Sequence, residues 1–130
     1  MSATETSIEV DDKGVEVARN YAYILFGFIF ITHFVARKKR NETTGVDQSH
    51  YEFQYRTTLF AWRSIIATVF VFFTGVAISN PNVPPVGLIL VLYSGWLVAI
   101  WVAVRSIRGL YLCGARRPIK KPKSLWIWPE

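Results

Sequence analysis

The chain has 130 residues, of which 52% are hydrophobic and 18% charged, so it can form one domain and is too short for a large multidomain enzyme. A single Cys excludes an internal disulfide and a multi-cysteine zinc or iron–sulfur site within the chain. The net charge of +6 is compatible with a nucleic-acid partner, but the basic residues flank apolar segments, which is the arrangement of a membrane protein.

Three long segments with almost no charge predict three transmembrane helices, at about 18–36, 57–79 and 83–104. A helix needs about 20 apolar residues to cross a hydrocarbon core of roughly 30 Å. The second and third segments reach that length, and the first comes close to it. A soluble chain of this size could not bury three such helices. We therefore expect an all-α membrane protein with three transmembrane helices, a short cytoplasmic amphipathic helix and a basic tail.

Charge divides the chain into three regions. Residues 1–16 form a polar, acidic N-terminal tail, residues 17–113 hold the three-span membrane domain, and residues 114–130 form a basic tail rich in Pro and Trp. The N-terminus lacks the order of a signal peptide, so we expect the first span to be retained. Twelve Lys and Arg residues follow the first and third predicted spans, and the N-terminal region holds two, Lys13 and Arg19. The positive-inside rule then places the N-terminus outside and the C-terminus in the cytoplasm.

The segment between the first two spans predicts a short helix with its own start. Ser49 and Glu52 have the spacing of a capping box, and Glu52 can pair with Arg56 four residues later. The alternation of Tyr51, Phe53 and Tyr55 would also suit a strand, but a lone strand at a membrane has no partner. This helix is a candidate cytoplasmic interface for a nucleotide or peptide, and the alternative is a helix lying among lipid headgroups. The candidate interface residues are Ser49, His50, Tyr51, Phe53, Gln54 and Arg56.

Basic residues on the predicted cytoplasmic side are candidates for contact with anionic lipid headgroups. They are Arg37, Lys38, Lys39, Arg40, Arg116, Arg117, Lys120, Lys121 and Lys123. On the same side, Gly109 and Gly114 are the expected bend and stop of the last helix. Trp126 and Trp128 are expected to anchor the tail at the headgroups. Prolines within 81–85 predict a stiff external turn.

Two motifs in series resemble a widespread bacterial family of small transmembrane proteins of unknown function. The first is SHYEFQYRT at 49–57, where the family carries Ser-His-aromatic-x-aromatic-Gln-x-Arg-Thr at the cytoplasmic start of a span. The second is RSIRGLYL at 105–112, followed by Arg117-Pro118-Ile119, Pro122 and Trp126. The resemblance covers roughly residues 17–127, and the acidic N-terminal tail and Arg63 depart from it. It implies a helical protein of the bacterial inner membrane and no particular activity. A wider superfamily of weaker similarity includes an import-translocon subunit of the chloroplast inner envelope.

Arg63 is the most informative polar residue within a predicted span. An Arg at the centre of a span costs about 2.5–3.5 kcal/mol on the translocon-insertion scale. From a position about 9 Å into the helix, however, its side chain can snorkel to the headgroups. The alternative is a polar contact with a neighbouring helix or a partner subunit.

Gly95, Ala99 and Ala103 form a stripe of small residues on the third predicted span, which would let another helix approach closely. We expect that helix to be span one or two of the same chain, and the alternative is a partner subunit or a second copy. Large side chains on the opposite arc are expected to face lipid. They are Tyr93, Trp96, Leu97, Ile100 and Trp101.

The sequence predicts no catalytic, cofactor-binding or metal site. It shows no nucleophile–base pair, carboxylate pair or phosphate-binding loop, and His33, His50 and Cys113 do not have the spacing of a metal site. We expect a non-catalytic accessory, assembly or stabilising subunit of a larger inner-membrane complex. Its expected partners are the bilayer, anionic lipids and other membrane subunits or a second copy, without nucleic acid. The alternative is a component of a protein- or solute-translocation assembly, although the spans offer few polar residues to line a path.

Overall fold

A computed structural model describes the backbone of residues 3–78 and 86–126, and the side chains of 12–78 and 86–126. The described residues contain four helices: α1 (Ala3–Leu25), α2 (Ile29–Glu42), α3 (Gly45–Ile78) and α4 (Val86–Gly114). Within these ranges no strand occurs, which confirms the all-helical prediction. The predicted external turn, the span residues 79 and 83–85, and Trp128 lie outside the described residues.

Two helices, α3 and α4, are long and apolar enough to cross a membrane. At 1.5 Å per residue they measure about 51 Å and about 44 Å, which exceeds the hydrocarbon thickness. Each helix therefore has room for a membrane-spanning part and for a part that projects beyond it.

The predicted first span at 18–36 is wrong, since the described chain has two candidate spans and not three. α1 and α2 are separated by a turn in which Gly27 has a left-handed φ of 85°. The N–H of Gly27 donates to the carbonyl of Ile24 at 3.1 Å, and that of Phe28 donates to the carbonyl of Tyr23 at 2.9 Å. This pair of bonds is the Schellman ending of a helix, and it turns the chain away before α1 can become a full span.

The predicted separate amphipathic helix is also wrong, because α3 runs without interruption from Gly45. Ser49 therefore lies inside the helix, and Ser49 and Glu52 form no capping box. The Ser49 hydroxyl instead accepts the N–H of Ile119 at 3.1 Å. The predicted pair of Glu52 and Arg56 is confirmed, with Oε1 and Nε 3.0 Å apart.

The buried core occupies one end of the molecule. On α3 the buried residues lie between His50 and Ala61, and on α4 they lie between Val102 and Cys113. Within the described ranges, no residue of 62–78 or 86–101 is buried. α1 and α2 cover only the packed end, so the other half of α3 and α4 is a hairpin with an exposed apolar surface. We call the packed half the base.

Residues 3–16, predicted as a polar tail, form the first part of α1. Glu16 pairs with Lys39 at 3.2 Å, and the Cys113 thiol lies 3.8 Å from the carbonyl of Gly14. The start of α1 therefore lies beside the basic C-terminal end of α2 and the end of α4.

Candidate functional site

The centre of the base is Arg105, the largest fully buried side chain in the described part of the chain. Its Nε donates to Thr57 Oγ1 at 2.7 Å, and its two terminal nitrogens donate to the carbonyls of Ser124 and Trp126. The guanidinium carbon lies 3.8 Å from the centre of the Phe53 ring. A buried cation is tolerated only with such partners, because desolvation otherwise costs several kcal/mol. Here neutral oxygens and an aromatic face hold the charge.

Arg105 also fixes the C-terminal segment, because two of its acceptors are backbone carbonyls in that segment. Ile119 is 3% exposed and bonds through its N–H to Ser49, which gives the segment a second attachment. The predicted basic tail therefore packs across α3 and α4 as far as Trp126. The Trp126 ring is exposed, which keeps it available for the predicted contact with headgroups.

A second set of hydrogen bonds in the base joins Tyr21 of α1 to His50 of α3. The hydroxyl of Tyr21 lies 3.1 Å from His50 Nδ1, and His50 Nε2 lies 3.0 Å from the carbonyl of Arg117. A carbonyl can only accept, so Nε2 carries a proton. In the neutral ring Nδ1 then accepts the Tyr21 hydroxyl proton. One imidazole therefore connects α1, α3 and the C-terminal segment.

A third set of hydrogen bonds in the base pairs two side-chain amides. Asn20 Nδ2 donates to Gln54 Oε1 at 2.5 Å, and Gln54 Nε2 donates to the carbonyl of Val17 at 3.1 Å. All three residues are buried. Amides that pair with each other in this way tie α1 to α3 without leaving a polar group unsatisfied.

Gly109 lets α1 and α4 approach closely. A Cβ placed on Gly109 would overlap the ring of Tyr21, so only glycine fits beneath that ring. α4 continues through Gly109, and it ends at Gly114, which confirms the predicted stop. The chain then turns at Arg116, whose φ of 51° is left-handed.

Most residues of the predicted cytoplasmic interface lie inside the base. His50, Tyr51, Phe53 and Gln54 are at most 1% exposed, because α1, α4 and the C-terminal segment cover them. Ser49 is half-buried, and Arg56 is engaged with Glu52. His50, Tyr51, Phe53 and Gln54 therefore belong to the interior of the base.

A smaller cluster surrounds His33 on α2. Its Nδ1 lies 3.0 Å from Thr58 Oγ1, and its ring stacks on Tyr55 with centroids 5.0 Å apart. The Arg40 guanidinium lies over the same Tyr55 ring, 3.9 Å from its centre. Burial, followed by the charges of Arg37 and Arg40, lowers the pKa of His33. The cluster therefore favours a neutral imidazole and attaches α2 to α3.

The stripe of Gly95, Ala99 and Ala103 lines an apolar groove with a volume of about 240 Å³. Across the groove stand the end of α1 near Gly27 and the α3 residues around Ala61. A Cβ on Gly95 would meet no atom within 4 Å, so the expected close packing on a helix of the same chain does not occur there. We call this feature the stripe groove.

The opposite arc of α4 faces outward with one exception. Tyr93, Trp96 and Leu97 are each 69% exposed, and Ile100 is 54% exposed. Trp101 is instead half-buried and packs on Phe60, with ring centroids 4.6 Å apart. The reason is helical geometry, because Trp101 lies one turn before the buried Arg105 and shares its face.

Arg63 is exposed on α3, next to the part of the helix that lacks buried residues. Four of the basic residues predicted to contact lipid form ion pairs within the chain. Lys38 pairs with Glu42, Lys39 with Glu16, Arg40 with Glu52 and Arg116 with Asp47, at 3.0 to 3.9 Å. The other five residues predicted to contact lipid have exposed side chains. They are Arg37, Arg117, Lys120, Lys121 and Lys123.

The prediction missed the residues that hold the base together. They are Asn20, Tyr21, Thr57 and Arg105. One signal was available for Arg105, which directly follows the longest uncharged run and stands four residues before Gly109. The N-terminal partners gave no such signal, because they lie in the segment assigned to a span.

Comparisons with protein-family models, curated proteins and solved structures give no match to this chain.

Proposed function

We propose that the chain is an integral membrane protein that serves as a non-catalytic accessory, assembly or stabilising subunit of a larger complex in the bacterial inner membrane. Two helices, α3 and α4, would cross the bilayer as a hairpin. The base would lie at the cytoplasmic face, where its basic residues meet anionic lipid. The resemblance of the motifs at 49–57 and 105–112 to a family of small bacterial transmembrane proteins supports this location.

The observation that carries the proposal is the division of α3 and α4 into a packed half and an exposed apolar half. Side chains such as Phe70, at 72% exposed, and Leu97, at 69%, would face water in a soluble protein. In a bilayer the same surface faces lipid or another protein. The polar groups of the base form hydrogen bonds mainly with one another. This arrangement is typical of a structural part of a protein and not of a catalytic site.

The stripe groove supports a partner in the membrane. It lies beside the exposed half of the hairpin, and every residue that lines it is apolar. Small residues at four-residue spacing on α4 allow a helix backbone to come close. We propose that its occupant is a transmembrane helix of another subunit. A translocation role is less well supported, because a path for ions or peptides needs polar lining.

The test compares two substitutions of the same kind in the tagged full chain. Ala99→Leu fills the stripe groove, whereas Ala67→Leu adds the same bulk at an exposed position of α3 outside it. The chains are purified from native membranes in mild detergent, and co-eluting polypeptides are quantified by mass spectrometry. We expect a stoichiometric membrane partner with wild type and Ala67→Leu, and its loss with Ala99→Leu.

Equal retention of the partner by both variants would contradict the groove as its binding site. The lack of any stoichiometric membrane partner would contradict the subunit role. Flux of ions or peptides into vesicles that contain only this chain would favour the translocation alternative.

A further inference from the structure

A second, polar pocket lies at the base, on the side of the molecule that faces away from the apolar hairpin. Its volume is about 600 Å³, which is within the range that holds a small ligand. Three separate parts of the chain line it. They are the end of α2 at Arg40 and Asn41, the start of α3 from Gly45 to Arg56, and the C-terminal segment from Ile119 to Lys123.

The charge in this pocket is unbalanced. Four cations line it, namely Arg40, Arg56, Lys120 and Lys123, together with one acid, Glu52. Glu52 is shared, since its carboxylate lies 3.0 Å from Arg40 and 3.0 Å from Arg56. Within the described residues, Lys120 and Lys123 form no ion pair. The two ammonium groups are therefore free to bind an anion.

A helix terminus adds donors at the pocket. Gly45 is the first residue of the 34-residue helix α3 and lines the pocket, so the positive end of that helix lies at its wall. N–H groups in the first turn of a helix lack partners within it and suit a phosphate.

Hydrogen bonds between the separate parts of the chain hold the lining of the pocket in place. Gln48 Nε2 donates to the carbonyl of Arg40 at 3.3 Å and joins α2 to α3. Ile119 bonds to Ser49 and is buried, which holds the lysines of the C-terminal segment over the same opening. Cations that are distant in the sequence are thus kept together, as a multiply charged ligand requires.

We propose that this pocket binds the phosphate group of an anionic ligand, with Lys120 and Lys123 as its direct cationic partners. The group is presented either by a phospholipid headgroup or by a soluble phosphate. The proposal does not depend on the subunit role, because it concerns only residues of this chain at the base.

The test uses two double variants that remove the same charge. The double variant Lys120→Ala, Lys123→Ala removes the two ammonium groups that line the pocket without an ion-pair partner among the described residues. Lys38→Ala with Lys121→Ala removes two exposed basic residues that do not line it. None of the four lysines is buried, so both double variants should fold as wild type does.

The lipid arm presents phosphatidylglycerol and phosphatidylcholine to the detergent-purified full chain and counts the retained lipid by native mass spectrometry. We expect wild type and the Lys38/Lys121 variant to retain phosphatidylglycerol preferentially. In the Lys120/Lys123 variant its affinity should fall by at least about tenfold, as expected when two charges beside an anionic headgroup are lost.

The soluble arm adds inorganic phosphate to lipid-free protein and compares its thermal midpoint with that in chloride at equal ionic strength. A rise in midpoint that the Lys120/Lys123 variant alone loses identifies a soluble phosphate as a ligand. Retained phosphatidylglycerol without this rise identifies the headgroup. Equal losses of binding in both double variants would contradict the pocket and would show that the ligand responds only to the overall positive charge of the surface. The lack of binding in both arms would also contradict the proposal.

Discussion

Arg105 of α4 and Thr57 of α3 form a charged hydrogen bond at the centre of the base, with Nε and Oγ1 2.7 Å apart. Both side chains are fully buried, and Thr57 also donates its proton to the carbonyl of Phe53 at 2.8 Å. The hydroxyl therefore serves as donor and acceptor at once. It connects the cation to the backbone of α3 within the packed half of the hairpin.

Thr57→Val tests this connection, because valine keeps the shape of threonine and removes the hydroxyl that accepts from Arg105 and donates to Phe53. We expect the free energy of unfolding to fall by about 1–3 kcal/mol, the cost of leaving a buried donor unsatisfied. Thr57→Ser keeps the oxygen and should cost less. The measurement is denaturant unfolding of the purified chain in one detergent.

The matched control is Thr74→Val on the same helix. The Thr74 hydroxyl is exposed and bonds only to the carbonyl of Phe70 at 2.9 Å, so the change should stay within about 0.5 kcal/mol. Equal losses at Thr57 and Thr74 would show that the contact with Arg105 contributes nothing beyond the helix itself.

Gly109→Ala should destabilise the base although alanine favours helices. The added methyl group would overlap the ring of Tyr21, which is itself buried and bonded to His50. We expect a loss of about 1–3 kcal/mol from overpacking, measured by the same unfolding experiment. Gly95→Ala places a methyl group where no atom lies within 4 Å, so it should be neutral or stabilising by up to about 1 kcal/mol. A neutral Gly109→Ala would mean that the two helices do not approach as described.

The two apolar helices could be predicted from sequence because an uncharged run longer than a bilayer is a direct physical signal. The first span was predicted wrongly because hydropathy does not register a single left-handed residue, and Gly27 ends α1 in the middle of an apolar run.

The network of the base could not be derived from spacing alone. His50, Gln54 and Thr57 follow helical spacing on α3, but their partners on α1 and α4 are 29 to 48 residues away in the sequence. The motifs that carry the family resemblance hold these same residues. Their roles in the fold became visible only from the contacts, whereas the motif itself suggested an interface.

Gly27→Ala tests the turn between α1 and α2. Nothing lies within 4 Å of a Cβ there, so the change adds no clash and leaves only the strain of a left-handed alanine. That strain costs about 1–2 kcal/mol. Gly27→Asn should cost less, because asparagine tolerates this conformation. The measurement is the free energy of unfolding of the two variants and wild type. A Gly27→Ala variant more stable than wild type would indicate a continuous helix, in which alanine is favoured over glycine.

The last prediction concerns the sidedness of the chain. The contacts of Glu16 with Lys39 and of Gly14 with Cys113 bring the start of α1 to the basic base. With two spans instead of three, both ends of the chain then lie on one side. Every Lys and Arg except Arg63 lies in 1–56 or 105–130, so the positive-inside rule assigns that side to the cytoplasm.

Topology reporters fused before Met1 and after Glu130 should therefore both report the cytoplasm, and a reporter inserted at Asn82 should report the outside. A three-span chain would instead place the reporters at the two ends on opposite sides. The N-terminal fusion is the decisive one, because the C-terminal and Asn82 reporters give the same result for both arrangements. An external N-terminus would separate Glu16 from Lys39 by a bilayer, and the base as described here could not form.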